Sequence, residues 1–512
     1  MTDNVIRKRK IRETLLLTGM GLFLFACALT AANVLLLPVA RTYHGYGAGL
    51  TLVSLALYAA ICLFVGKKLL DADAPRLERI AKIAVPAYLC VLFAMHLISG
   101  ALLEYTPSGD NFMIYNAAQL MAKDGNFDAY PDFYLYLSRF SNQWGFMLML
   151  SGLYKLLFAL GFADMFFPTV VVQAIIYVFG MLALLSIARR LRGVRGVLSL
   201  LLVLCTCFPL YIAAAVLYTD TFSMPFVALA LCFALHVLDA KTIKAQIGNS
   251  LVCALFAAIG GQVKMTAAIV LIAAAIVFVL RLRAVRALCC CAVIALAMGL
   301  SIVGVNKAMV GPVLNPDMVA QHNTPTIHWV MMSIPNGNNP FGDDIEDYRQ
   351  TWRMMEEGAS REEVMDSIYT RLIDKIYYLR YPSRLIPAMI RKNAAAFGDG
   401  TLGLSEILDD KPTHYTPLSA VVREEGALYP VYQAVCSGIF IAHLIFAALA
   451  CLRDMKKKDF RAALLYVAMF GFMVFMLIWE VRSRYIFNFV PVLLLLSMGF
   501  IARGVKEEEG KE

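Results

Sequence analysis

Residues 101–145 read ALLEYTPSGDNFMIYNAAQLMAKDGNFDAYPDFYLYLSRFSNQWG, and they follow a strongly apolar segment. One carboxylate, Asp110, comes a few residues after that segment ends. The residues that follow Asp110 in the sequence have the spacing of an amphipathic helix that lies along a surface. We therefore interpret this stretch as a reactive group at a membrane interface, with the rest of the chain as a hydrophobic frame around it.

The composition defines the class of protein. Hydrophobic residues make up 60% of the 512 residues and charged residues 16%, which is more apolar than a single soluble core can accommodate. The formal net charge of +9 comes with Lys and Arg in short clusters between apolar runs. Such clusters are typical of the cytoplasmic loops of membrane proteins, so the partners we expect are membrane lipids and not nucleic acid.

About twelve apolar runs are long enough to cross roughly 30 Å of hydrocarbon. These runs lie at 14–38, 48–66, 83–103, 165–188, 197–217, 222–238, 247–261, 265–280, 287–306, 429–452, 462–479 and 485–501. The sequence therefore predicts an all-α multispanning membrane protein.

The basic segments between these runs fit one topology. The segments are KKLLDADAPRLERIAK (67–82), RRLRGVRG (189–196), DAKTIKAQ (239–246), RLRAVR (281–286) and RDMKKKDFR (453–461). All of them fall on one face if both termini are cytoplasmic, as the positive-inside rule requires. This topology holds only if the apolar stretch 146–162 lies in the interface or dips into the membrane without crossing.

The same topology divides the chain. We predict a basic cytoplasmic N-terminus (1–13), a transmembrane module (14–306) with a first external loop (104–164), an external segment (307–428), C-terminal transmembrane helices (429–503) and a cytoplasmic tail (504–512). Within the external segment, Ser360 and Glu363 form a capping box ahead of a helix whose apolar stripe we expect to pack on the membrane domain.

Asp110 is the candidate for chemistry in the first external loop. Its carboxylate could take a proton from an acceptor hydroxyl as a general base, or it could simply cap the helix that follows. In the same loop, Arg139, Asn142 and Gln143 could hold sugar hydroxyls or a phosphate.

Other candidates lie in the short external turns. Asp220 and Lys264 are ionisable groups beside the membrane core, which indicates function, although capping or snorkelling would also explain them. Arg482 and Arg484 lie where the charge rule disfavours cations, which favours an anionic phosphate or pyrophosphate partner; the alternative is pairing with Glu480 or with external acidic loops.

Two further features complete the candidates. His328, in HWVMM, is either a binding residue or an interfacial packing residue. The histidines and acidic residues of the external segments have no zinc or calcium spacing, so no metal ligand is assigned.

Taken together, these features resemble the GT-C membrane glycosyltransferases. The shared features are a span that ends in an acidic external loop, an interfacial helix, a dipping segment, RRLRG, and then Asp220 and Lys264. The resemblance covers about 83–280 and is nearest to glycosyltransferase family 39, with protein O-mannosyltransferases and the lipid A aminoarabinose transferase. HWVMM, RKNAAAFGDGT and the pattern ExRxRY, which ends at Tyr485, look like Gram-positive members of that superfamily.

The resemblance implies inverting transfer of a sugar from a polyprenyl-phosphate donor to an acceptor on the outer face. Asp110 matches the family's acidic base, Asp220 and Lys264 match its next acidic residue and lysine, and Arg482 and Arg484 would hold the carrier phosphate. The acceptor would be a cell-surface glycan, teichoic acid, lipid or protein. Asn111 stands where the family commonly has a second acidic residue, which leaves a divalent cation requirement open.

Two other classes of function are alternatives to a glycosyltransferase of this type. An O-antigen polymerase or ligase type of enzyme also has about twelve spans and external arginines, and it would depend more on Arg482 and Arg484 than on Asp110. A lipid or sugar transporter or flippase would show matching halves and charges at mid-membrane depth. The sequence shows neither of these transporter features.

Overall fold

The computed structural model describes residues 2–36, 47–127, 129–335, 341–342, 345–409 and 411–502. These residues form helices and connecting turns and contain no strand, so the prediction of an all-α protein is confirmed for them. The predicted tail at 504–512 lies outside the described residues.

The first part of the chain holds most of the apolar helices. They are α1 Thr2–Leu36, α2 Gly47–Asp71, α3 Ala74–Leu102, α4 Gly109–Lys123, α5 Pro131–Arg139, α6 Trp144–Ala159, α7 Phe166–Thr206, α8 Pro209–Ile212, α9 Thr219–Asp239, α10 Ile243–Val263, α11 Ile269–Arg281 and α12 Ala284–Met309.

The external segment folds into shorter helices, and three apolar helices follow it. The shorter helices are α13 Pro316–His322, α14 Thr326–Ser333, α15 Ile345–Glu356, α16 Arg361–Tyr378, α17 Pro382–Phe397, α18 Leu404–Leu408 and α19 Ser419–Val422. The last apolar helices are α20 Tyr429–Lys457, α21 Ala463–Ile478 and α22 Val490–Ile501.

The helices match the predicted spans. Within the described residues, nine helices are long and apolar enough to cross a membrane, and two shorter apolar helices lie at Met265–Arg281 and Ala463–Ile478. One of the nine, α7, covers the predicted run 165–188 and the first half of the run 197–217. The helix α6 has 16 residues and a length of about 24 Å, which is shorter than the hydrocarbon core. Its placement in the interface stays a prediction.

The long helix α7 is broken near its middle. Arg192 and Gly193 have non-helical backbone angles, with φ 61° and ψ −154° at Gly193. That conformation is accessible to glycine and not to residues with a Cβ. Gly193 therefore turns the chain between the two runs.

The predicted span at 197–217 is also interrupted, since its helix ends at Thr206. Pro209 has no N–H to donate and its ring would clash with the preceding helical turn, so the helix cannot continue. Buried polar groups satisfy the freed backbone: the ring nitrogen Nε2 of His96 lies 2.7 Å from the carbonyl oxygen of Leu210, and the Leu217 N–H donates to the Tyr105 hydroxyl at 3.2 Å. This irregular stretch leads directly into the start of α9.

The capping box in the external segment is present, whereas the packing expected behind it is different. Ser360 and Glu363 cap α16 reciprocally. The buried residues of its stripe, Val364 and Ile368, pack with Met331 and Met355 of α14 and α15. The stripe thus holds the external helices to one another and does not pack on the membrane domain, and Ile376 farther along the stripe is exposed.

The basic segments meet at one end of the helices. Arg189 pairs with Glu78 at 2.6 Å, and Arg190 pairs with Asp239 at 2.7 Å. Further contacts link the other segments: Arg192 to Asp454 and Asp459, Arg195 to the carbonyls of Leu69 and Ala72, Arg281 to that of Phe460, and Arg286 to that of Lys241. All five basic segments therefore lie together, as the charge pattern predicted.

Candidate active-site cleft

A cleft of about 480 Å³ lies between the external helices and the ends of the apolar helices. Most of the predicted site residues line it, although they come from four separate parts of the chain. The predicted residues in its wall are Asp110, Arg139, Asn142, Gln143, Lys264, Arg482, Arg484 and Tyr485. The tertiary structure thus brings the first external loop and the late arginine turn into one site.

Asp110 is exposed and lies in the first turn of α4. The N-cap residue of α4 is Ser108, which makes no side-chain capping hydrogen bond. The Tyr136 hydroxyl of α5 donates to Oδ1 of Asp110 at 3.0 Å. Burial, and then the charge of Asp110, raises the pKa of Tyr136 well above its usual range, so the phenol stays a neutral donor. One carboxylate oxygen is thereby fixed by a neighbouring helix.

Two partly buried cations approach the Asp220 carboxylate, one at each of its oxygens. Lys264 Nζ lies 2.9 Å from its Oδ1, and Arg484 Nε lies 3.7 Å from its Oδ2. Asp220 itself is only 1% exposed and does not line the cleft. Its negative charge therefore holds two cations, and both of them face the cleft.

Arg482 and Arg484 have further carboxylate neighbours at similar separations. Each has a guanidinium nitrogen 3.7 Å from a Glu406 oxygen, and Arg482 Nε lies 3.8 Å from Glu480. Such distances exceed a hydrogen bond, so these carboxylates compensate the arginine charges without engaging the N–H groups at those positions. The N–H at Nε of Arg484 has no hydrogen-bond partner among the described residues.

Broken helices place these side chains. Lys264 follows the last residue of α10 and precedes a short 3-10 turn, Met265–Ala268, while Arg484 and Tyr485 lie in another, Ser483–Phe489. The Asn488 amide donates to the Thr266 hydroxyl at 2.6 Å and ties the two turns together. Residues from the two turns therefore have fixed positions relative to each other.

Burial shifts the pKa values of Lys264 and Glu480 in opposite directions, and in both cases toward the neutral form. It lowers the pKa of Lys264, which the Asp220 carboxylate counteracts. It raises the pKa of Glu480, which Arg484 and Arg482 counteract, and the Tyr485 hydroxyl donates to Glu480 at 3.1 Å. Each charge in this poorly solvated group thus depends on its neighbours.

Two tyrosine rings of the cleft lie beside the cations. Lys264 Nζ lies 3.7 Å from the centre of the Tyr485 ring, and Arg484 lies 5.0 Å from that of Tyr218. Burial raises the pKa of Tyr218, Arg484 opposes this, and the charges of Asp110 and Asp220 add to it. Tyr218 therefore lies within electrostatic range of both Asp110 and the cations.

Aromatic residues form the wall on the external side. Phe140, Trp329, Tyr348 and Trp352 line the cleft and pack on one another with ring centres 5.0–5.9 Å apart. Arg139 pairs with Glu356 and lies 4.8 Å from the Trp352 ring centre. The indole N–H of Trp352 is buried and has no hydrogen-bond partner in the described part of the chain.

His328 lies behind this wall and does not line the cleft. It is fully buried, its Nδ1 lies 3.1 Å from the Thr351 hydroxyl, and its ring packs against Trp329 and Tyr348. Burial, together with Arg371 and Lys375, lowers its pKa to about 3. His328 therefore occupies the position of a packing residue, and its side chain does not face the cleft.

Several residues in or beside this site are not predicted from the sequence. They are Tyr136, Tyr218 and Glu406, and Trp329, Tyr348 and Trp352 of the aromatic wall. Their contacts join segments up to about 270 residues apart, such as Tyr218 with Arg484. Within the described ranges, no group of three or more His, Cys, Asp and Glu could hold a metal ion.

The apolar helices and the sequence family agree on the class of protein. The model of a family described as "Conserved hypothetical integral membrane protein" matches residues 6–502, so the chain belongs to that family. It is a multi-pass integral membrane protein. No curated protein matches the sequence.

Among solved structures, the chain is similar to the crystal structure of ArnT from Cupriavidus metallidurans bound to undecaprenyl phosphate. The two are 13% identical, with 81% of this chain and 77% of that chain covered, at a TM-score of 0.33. At that score the two chains overlap loosely, and we base the function on the residues of the cleft.

Proposed function

We propose that the protein is a membrane glycosyltransferase that moves a sugar from a polyprenyl-phosphate donor to a cell-surface acceptor. The observation that carries the proposal is the cleft itself: an exposed, oriented carboxylate and a group of partly buried cations line one cavity. Asp110 accepts from Tyr136, and Lys264, Arg482 and Arg484 face the same space. Transfer from a lipid phosphate needs both a base and a phosphate site.

Arg484 has a donor that a phosphate could engage. It stands 3.7 Å from Glu406 and from Asp220, and its Nε–H has no hydrogen-bond partner among the described residues, so it can turn toward an incoming anion. A phosphate oxygen at 2.7–2.9 Å would form a charge-assisted hydrogen bond with this donor. The cleft would therefore bind the phosphate of the donor near Lys264, Arg482 and Arg484.

In the reaction we propose, Asp110 takes the proton of the acceptor hydroxyl. The acceptor oxygen attacks the anomeric carbon, a new C–O bond forms, and the bond from that carbon to the phosphate oxygen breaks. The electron pair leaves with the polyprenyl phosphate, whose developing charge the three cations stabilise. Attack from the face opposite the leaving phosphate inverts the anomeric configuration.

The aromatic wall suits the sugar. Trp329 and Trp352 line the cleft, and aromatic rings are the kind of apolar surface against which a sugar packs; the indole N–H of Trp352, which has no hydrogen-bond partner among the described residues, would donate to a sugar hydroxyl. Asn142 and Gln143 supply amide groups in the same cleft. The acceptor, a glycan, teichoic acid, lipid or protein, would enter beside Asp110.

The cleft would open on the outer face. Helix α9 carries Asp220 at one end and Asp239 at the other, which are about 28 Å apart along the helix. Asp239 pairs with Arg190 in the basic segments. Because such clusters stay cytoplasmic, the cleft lies at the external surface and both termini face the cytoplasm.

The decisive experiment is transfer of a radiolabelled sugar from polyprenyl phosphate in membranes with matched protein levels. Asp110→Asn should lower the transfer rate by about 10²-fold or more because it removes the base. The matched control is Asp132→Asn, which removes an exposed carboxylate of α5 outside the cleft and should leave the rate unchanged.

The rival functions give different results. Full transfer by Asp110→Asn would contradict the base assignment. A larger loss in Arg482→Ala than in Asp110→Asn, with a lipid-pyrophosphate donor preferred, would favour a polymerase or ligase type of enzyme. Absence of transfer by the wild type, with the labelled lipid carried across vesicles, would indicate a flippase.

A further inference from the structure

A second cavity lies at the opposite end of the helices from the cleft. Its volume is about 620 Å³, and its wall comes from the break in α7, at Arg190 to Gly193, and from residues 453–461, which are the last turn of α20 and the residues just after it. Gly193, with φ 61°, makes the turn that opens the wall on the α7 side. The cavity is thus built by two breaks between apolar helices.

The cavity is strongly basic. Six cationic side chains line it, against two carboxylates, Asp454 and Asp459. A third carboxylate, Asp239, pairs with Arg190 at 2.7 Å from outside the lining. The cavity therefore holds a surplus of three positive charges. The six cations are Arg190, Arg192, Arg453, Lys457, Lys458 and Arg461.

The two carboxylates of the lining already form ion pairs with three of the six cations. Arg192 lies 2.7 Å from both Asp454 and Asp459, Arg453 lies 2.8 Å from Asp454, and Arg461 lies 2.8 Å from Asp459. These pairs form the rigid floor of the cavity. They leave the two lysines of the lining without a carboxylate to pair with.

Lys457 and Lys458 stand exposed at the rim, and neither side chain makes a hydrogen bond or ion pair with the described residues. In the same wall, Nη1 of Arg190 is buried and has no hydrogen-bond partner in the described part of the chain. Three cationic groups thus offer donors to a common space. No part of the glycosyl transfer described above uses them.

We propose that this cavity binds a phosphate group, supplied by the headgroup of an anionic phospholipid in the leaflet that the basic segments face. Basic pockets between transmembrane helices take such headgroups on the cytoplasmic side. A phosphate in the cavity would accept from the lysines and from Nη1 of Arg190. A soluble phosphate or pyrophosphate has the same chemistry, and the experiment distinguishes the two sources.

The test uses the full chain in detergent and measures its Tm against increasing phosphatidylglycerol, phosphatidylcholine or inorganic pyrophosphate. The variant is Lys457→Gln with Lys458→Asn. It removes two charges that make no contact, and Asn tolerates the left-handed backbone at 458, where φ is 50°. The matched control is Lys8→Gln with Lys10→Gln, which removes two exposed charges outside the cavity.

Phosphatidylglycerol should raise the Tm of the wild type saturably and phosphatidylcholine should not. The half-saturating concentration should rise about fivefold for each lysine removed in the cavity variant and stay unchanged in the control variant. Saturation by pyrophosphate alone, lost in the cavity variant, would keep the phosphate site and overturn the lipid source. Equal responses of wild type, cavity variant and control to every probe would overturn the site.

Discussion

The two ends of the helices each bury an aspartate among cations, and they do so in different ways. Asp454 is 1% exposed and accepts hydrogen bonds from Arg192, Arg453 and the Tyr466 hydroxyl, at 2.7–3.1 Å. Asp220 is equally buried, but Arg484 stands 3.7 Å away from it. One carboxylate is fully engaged, whereas the other leaves its arginine able to bind something else.

This difference separates stability from function. A buried charge is costly unless its partners satisfy it by hydrogen bonds. At Asp454 the network is complete and holds the break of α7 to the end of α20. At Asp220 an arginine stands beyond hydrogen-bond distance of the carboxylate, beside a cleft. Such an arrangement is expected where a ligand supplies the missing contacts.

Arg484→Gln should separate the two ends most clearly. It removes the cation that would stabilise the leaving phosphate, and the transfer rate should fall about 10²- to 10³-fold. The Tm should change little, because Lys264 still neutralises Asp220 at 2.9 Å. Radiolabel transfer and thermal unfolding of the same preparation measure both. A lower Tm with transfer unchanged would make this group structural and erase the contrast.

Asp454→Asn should have the opposite effect at the other end. It leaves Arg192 and Arg453 without their shared carboxylate, which should lower the free energy of unfolding by about 3 kcal/mol. Transfer per folded molecule should stay at the wild-type value. The control is Asp459→Asn, since Asp459 is 15% exposed and its loss should cost less. Equal losses in the two variants would count against a special role for burial at Asp454.

A third buried ionisable residue, Lys392, should make the stability of the protein depend on pH. Its ammonium donates to the Ser333 carbonyl at 2.5 Å, and burial, opposed by Glu480 and reinforced by Lys375, lowers its pKa to about 7. The unfolded chain keeps the lysine protonated to about pH 10.4, so between pH 7 and 10 it binds more protons than the folded chain. Stability should therefore rise with pH across that window.

Lys392→Met should remove this contribution, and the slope of the free energy of unfolding should drop by at most about 1.4 kcal/mol per pH unit. Tm values between pH 7 and 9 check the slope. The control is Lys411→Met, which changes an exposed lysine and should keep the wild-type slope. A slope unchanged in Lys392→Met would mean that its ammonium stays charged throughout the window.

The smallest effect is expected at the aromatic wall. Trp352→Phe keeps an apolar face but removes the unpartnered indole N–H and part of the stacking surface. The loss of about 1 kcal/mol should raise KM about fivefold with kcat nearly unchanged, because Trp352 would bind the sugar and not the reacting bond. Steady-state transfer kinetics measure both constants. A fall in kcat at constant KM would place Trp352 near the reaction centre.

Much of the fold could be predicted because each membrane span requires a continuous apolar run, which is visible in a short stretch of sequence. Apolar runs of sufficient length, basic clusters between them and the capping box at Ser360 are all visible within a few tens of residues. The break after Thr206 was missed, although Pro209 was its signal. The stripe of α16 was assigned to the wrong partner, because an amphipathic face shows that a helix packs without showing on what.

The sequence by itself determined the class of protein, the helices and most of the charged residues of the cleft. Ionisable groups at the edge of hydrocarbon are costly enough to stand out without any structure. Only the tertiary structure decided their pairing: Tyr136 with Asp110, Glu406 with both arginines, His328 behind the wall. Hydropathy and charge are properties of a segment, whereas these contacts depend on how distant helices rotate and pack against one another.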